Sequence, residues 1–98
     1  MSDKEYLNKI AELREKALPE EEALLDYLEL FRPMENYDGM ADRSSSGIQD
    51  DLVDIVDIPV NTIARYMKEL GYKVVMWHGY AYWNMRCAIY DNDKKEID

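Results

Sequence analysis

Histidine and cysteine each occur once, at His78 and Cys87, and that scarcity removes several kinds of chemistry. One thiol excludes an internal disulfide framework and points to a reducing, cytoplasmic setting. One Cys and one His fall short of a structural zinc site, which takes four such ligands. Nucleophilic triads need a histidine held in a site. His78 instead falls between two strand-forming runs, where it reads as a solvated turn residue or a contact at a hairpin tip. Cys87 is expected to point inward as a small apolar group. No Gly-rich phosphate loop occurs. No cofactor, no metal and no enzymatic activity are therefore expected. The chain also lacks an apolar run of about 18 residues, so no membrane span is expected. Its polar beginning lacks the apolar segment of a signal peptide.

Positive charge is the other deficit. Lys and Arg number 12 against 21 Asp and Glu, for a net charge of -9 in 98 residues. Duplex DNA is bound by cations set against phosphates, and DNA-binding domains are usually basic. The imbalance is uneven, however: residues 1–43 carry -6, residues 44–90 carry -1, and residues 91–98 carry -2. The central segment is near neutral and the acid lies mostly outside it.

What the chain has is apolar content, 47% of its residues. That suffices for one small domain burying roughly two-thirds of its unfolded surface. Residues 1–18 read as an amphipathic helix capped by Ser2 or Asp3, with Tyr6, Ile10, Leu13 and Ala17 in one stripe and Leu7 beside it. That stripe packs on the domain or pairs with a second copy. Pro19 precedes a helix over 20–31, with Leu24, Leu28 and Phe31 inside and Glu20, Glu21 and Glu22 as solvated acids in the first turn. Residues 32–43 read as a connector. Met34, Tyr37 and Met40 are placed to tie it down. Ser44, Ser45 and Ser46 offer caps for a helix burying Ile48, Leu52, Ile55 and Val56. Asp50, Asp54 and Asp57 form its solvated outer face.

The stretch Asp57 to Tyr72 organises the rest. Pro59 suits a first helical position. Val60, Ile63, Ala64, Met67 and Leu70 recur on one face, and Gly71 follows where a left-handed cap is wanted. Next come Tyr72–Trp77, the turn His78-Gly79, and Tyr80–Tyr90, a hairpin signal in which paired residue numbers sum to 157. This register puts Tyr72, Val74, Met76, Ala81, Trp83, Met85, Cys87 and Ile89 on the core face. Lys73, Val75, Trp77, Tyr80, Tyr82 and Asn84 fall on the outer face. The longer second strand is expected to pair at its far end with a short strand near Arg43–Ser45. Residues 91–98 read as a polar tail.

Two surfaces stand out. Asn61, Thr62, Arg65 and Lys68 face outward from the 59–70 helix and are types that read a DNA groove: Arg to guanine, Asn to adenine, Thr to phosphate or a thymine methyl. Lys73 and Arg86 are placed to hold phosphates. Val75, Trp77, Tyr80 and Tyr82 make an aromatic patch on the hairpin. Three readings stay open for it: cover by the first helix or connector, a protein interface including a homodimer, or stacking on unpaired bases.

Ile58, Val60, Ile63, Arg65, Met67, Leu70, Gly71 and Tyr72, with the hairpin after them, resemble the winged helix-turn-helix superfamily over about residues 20–90. The resemblance implies an α+β domain at 19–90, with a three-helix core and a C-terminal β-hairpin wing; the helix at 1–18 would be extra. It implies duplex DNA as partner, with Asn61, Thr62, Arg65 and Lys68 on the recognition helix and His78 and Gly79 at the wing tip. The wing tip here is aromatic where such wings usually carry Lys or Arg. Two functions are therefore expected to compete: a non-enzymatic, regulator-like DNA-binding module, or an acidic protein-interaction module using the aromatic hairpin face.

Overall fold

The computed structural model describes residues 2–34 and 43–88. The chain forms α1 (Asp3–Lys16), α2 (Pro19–Leu28), β1 (Phe31–Pro33), α3 (Ser45–Leu52), α4 (Val60–Glu69), β2 (Val74–Trp77), β3 (Tyr80–Trp83) and β4 (Met85–Cys87), an α+β arrangement. Ile89, Tyr90, the tail at 91–98, Tyr37 and Met40 lie outside the described residues. Among those described, no helix is long and apolar enough to cross a membrane.

Local chemistry sets the helix ends. The Ser2 hydroxyl accepts the Glu5 N–H at 3.2 Å, and the Ser44 hydroxyl accepts the Gly47 N–H at 3.0 Å. Each satisfies one of the orphan donors of a first turn. Pro19 stands at the first position of α2. Pro59, expected in that role for α4, is instead the residue before it. Its ψ of 145° is extended, and its carbonyl accepts from Thr62 and Ile63 at 3.0 and 3.2 Å. Gly71, at φ 89°, closes α4. Its N–H reaches the Lys68 carbonyl at 3.1 Å, and the Tyr72 N–H reaches Met67 at 3.0 Å. These two crossed bonds are a Schellman cap, and its usual apolar contact is supplied by buried Met67 and Tyr72.

One core gathers every element except β2. Tyr6 and Ile10 of α1, Leu24, Leu25 and Leu28 of α2, Ile48 and Leu52 of α3, and Ile63 and Met67 of α4 are all buried in it, with Leu70, Tyr72, Trp83 and Met85. Leu13 and Ala17 pack against its edge. The stripe of α1 is thus used within its own chain. The Tyr6 hydroxyl donates to the Leu28 carbonyl at 2.8 Å and meets the Tyr72 hydroxyl at 2.6 Å, so Tyr72 is the donor between the two. Burial raises both phenols, Tyr6 to about 12.

Three expectations change here. Helix α2 ends at Leu28, and Phe31 opens a strand while still filling its core position. Helix α3 ends at Leu52, and the turn over 53–55 rotates the chain, leaving Ile55 74% exposed while Val56 and Ile58 turn inward. The far end of the hairpin pairs with β1, not with a strand at 43–45: Phe31 faces Cys87, Arg32 faces Arg86 and Pro33 faces Met85. Arg43 makes a single bridge to Trp83.

The hairpin register is the expected one: Val74 faces Trp83, Val75 faces Tyr82, Met76 faces Ala81 and Trp77 faces Tyr80. Its faces differ from expectation. Tyr72, Trp83 and Met85 at its base are buried, but Val74, Met76 and Ala81 nearer the tip are exposed. Strands of four residues reach about 13 Å, and these overhang the helical core. Asn84, expected outside, is buried. Its N–H bonds the Lys73 carbonyl at 2.8 Å and its side-chain amide donates to Met34 at 3.1 Å, where the strand breaks between β3 and β4.

Candidate nucleic-acid and protein interfaces

Helix α4 presents Asn61, Arg65 and Lys68 to solvent, with Thr62 half-buried, above an inner face fixed in the core by Ile63, Tyr66 and Met67. Tyr66 is fixed by Glu21, whose carboxylate accepts the phenol at 2.6 Å and the Leu18 N–H at 3.1 Å. The Tyr66 hydrogen bond, with the Leu18 bond and nearby Arg65, holds the Glu21 carboxyl below its ordinary range; burial opposes the shift. Burial and that same carboxylate push the Tyr66 phenol up to about 12. The Arg65 guanidinium lies 3.5 Å from Glu21 and 5.2 Å from the centre of the Tyr66 ring. Glu21 was expected to be solvated. The available signal was its position three residues after Leu18, where a Glu turns back to the N-cap N–H.

The cations do not form one strip. Arg65 faces Glu21 of α2. Arg86 lies half-buried on β4, beyond the hairpin proper, with its guanidinium 3.8 Å from Asp3 of α1. Arg32, opposite it, is buried, bonded to Asp3 at 3.1 Å and stacked 4.7 Å from the Tyr6 ring centre. Lys68 and Lys73 are exposed. Lys68 and Lys73 thus place exposed positive charge near the end of α4 and the start of the hairpin.

At the hairpin tip, His78 and Gly79 have φ of 50° and 81°, the paired positive values of a type I′ turn. The His78 and Trp77 rings meet edge to face at 4.8 Å. Trp77 and Tyr80 are 52% and 67% exposed, while Val75 and Tyr82 are half-buried. Between hairpin and helices runs an open cleft. Ser44, Ser45 and Ser46 border it at the start of α3, Val60 at the start of α4, and Val74, Ala81 and Tyr82 on the hairpin. Trp83 lines it too, its indole N–H donating to the Ser45 hydroxyl at 2.9 Å. The cleft has three serines on one side and mostly apolar residues on the other.

Half-buried Cys87 packs against the core edge. Asp50, Asp54 and Asp57 are exposed, and Asp51 beside them accepts the Tyr27 hydroxyl at 2.5 Å. Among the described residues, no three or more His, Cys, Asp or Glu are grouped to hold a metal ion. No protein-family model, curated protein or solved structure matches the chain.

Proposed function

We propose that the protein is a non-enzymatic, regulator-like winged helix-turn-helix module that binds duplex DNA with α4. The observation that carries this reading is the outer face of α4, where Asn61, Arg65 and Lys68 are exposed on a helix whose inner side is locked into the core. The element order supports it. Helix α2, strand β1, helices α3 and α4 and the hairpin follow one another, and β1 pairs with the continuation of the hairpin's second strand. In this reading α4 enters the major groove with its early residues nearest the bases, and the backbone crosses the start of α3, where helix-end N–H groups favour anions. The proposal sets the protein in the cytoplasm, where a single thiol stays reduced.

The test is titration against random duplex DNA at low and moderate salt. Binding should weaken steeply with salt, and the Arg65→Ala, Lys68→Ala double variant should weaken it and flatten the slope of log affinity against log salt. An unchanged slope removes this face from the mechanism, and no binding at low salt removes DNA. A second reading, a protein-interaction module, is favoured by the exposure of Trp77 and Tyr80 on an uncharged hairpin.

A further inference from the structure

We propose that two copies of this chain pair antiparallel through the open edge of β2, forming a two-fold dimer with a continuous sheet. Among the described residues β2 is hydrogen-bonded to a strand on one side only, β3. With a two-residue turn and Trp77 opposite Tyr80, the alternation of an antiparallel ladder directs the backbone groups of Trp77 and Val75 toward β3. The N–H and C=O groups of Val74 and Met76 then point out of the open edge. Native edge strands are usually blunted by charge, proline or a bulge. Residues 74–77 have none of these, and the side chains of Val74 and Met76 are 50% and 67% exposed.

Charge selects the occupant. The chain carries -9, yet no Asp, Glu, Lys or Arg lies between Val74 and Met85. Residues 1–43 carry -6, so two copies meeting through that region bring acid against acid; at the β2 edge they meet without like charges. The edge is also self-complementary. Setting Val75 opposite Val75 of the second copy places each Val74 opposite a Met76, so all the outward backbone groups of both residues are used at once. An apolar pair forms on one face and a valine pair on the other, the cross-strand contacts that stabilise sheets. A four-residue strand makes a small interface, below roughly 1,200 Å² in total, so a weak dimer is expected, dissociating in the tens to hundreds of micromolar.

This surface is separate from the outer face of α4, and the inference stands whether or not α4 binds DNA. The experiment is analytical ultracentrifugation of the full chain from about 5 to 500 µM, with circular dichroism melts to check folding. Wild-type protein should shift from monomer to dimer across that range. Met76→Lys and, independently, Val74→Lys should each weaken the dimer tenfold or more with unchanged melting. Leu7→Lys, on the exposed side of α1, should leave it intact. A monomer at every concentration overturns the proposal. So does a dimer that survives both lysine variants, a dimer lost in Leu7→Lys, or assembly beyond a dimer.

Discussion

Helix α4 and the β2–β3 hairpin are neighbours in sequence and opposites in construction. Helix α4 buries Ile63, Tyr66 and Met67, leaves only Val60 at its start among its large apolar residues exposed, and shows solvent an amide, a guanidinium and an ammonium. The hairpin carries the chain's longest uncharged run and shows solvent Val74, Met76, Trp77 and Tyr80. The helix rests on the core along its length, whereas the hairpin is held at its base by Trp83 and Met85 and overhangs beyond it. Apolar residues on α4 therefore serve folding. The same residue types at the hairpin tip gain little from folding, so their placement is better explained by what the tip meets.

The largest expected effect comes from asking each region to lose the same side chain. Met67→Ala on α4 empties a fully buried position and should cost about 2–5 kcal/mol, read as a lowered denaturation midpoint. Met76→Ala on the hairpin removes a side chain that is mostly in water and should change stability by less than about 0.5 kcal/mol. Equal losses would mean that the tip is part of the folding core and would collapse the contrast.

The next sharpening concerns the clamp that fixes α4 to α2. Glu21→Ala leaves the Tyr66 hydroxyl and the Leu18 N–H without their acceptor and should cost about 1–3 kcal/mol. The pH dependence follows from the two shifts. The Glu21 carboxyl is lowered in the folded state, so its contribution is present above the ordinary carboxylate range and is lost as pH falls through its folded value. The Tyr66 phenol is raised from 10.0 to about 12, so its contribution is complete below pH 10 and is lost as pH rises toward 12. Tyr6 behaves likewise, through burial first. Wild-type stability should fall at both extremes, and Glu21→Ala should lose most of the acid limb. An unchanged acid limb would remove Glu21 as its source.

How much of this was legible in the residues depends on the range of the interaction. Ser2, Ser44 and Gly71 act within a few residues of themselves, and each does what its local chemistry demands. The hairpin register was legible for the same reason, since a two-residue turn fixes it. What failed was long-range. Alternation along a strand says which residues share a face, but not how far the core extends beneath it, so Val74 and Met76 were assigned inward. Ile55 differs from expectation because α3 ends at Leu52, so helical periodicity no longer sets which way Ile55 points. The pairing of β1 with β4 joins residues more than fifty positions apart, and no local pattern at Phe31 marks it. At the candidate site, the residue types on α4 were readable, while the carboxylates facing Arg65 and Arg86 come from other helices and were not.

The smallest effect tests the hairpin tip alone. His78 has φ of 50°, a left-handed conformation that costs most side chains energy and that Asn tolerates best after Gly. Followed by Gly79 at φ 81°, it occupies the first central position of a type I′ turn, where Asn-Gly is the preferred pair. His78→Asn should therefore raise stability by up to about 0.5 kcal/mol, and His78→Val should lower it by about 1 kcal/mol or more, because a β-branched side chain is strained there. Both variants leave α4 untouched, so DNA affinity should follow neither change if α4 is the reading element. A parallel change in DNA affinity across the two variants would transfer the contact to the tip, and would mean that the hairpin and the helix work on the same ligand.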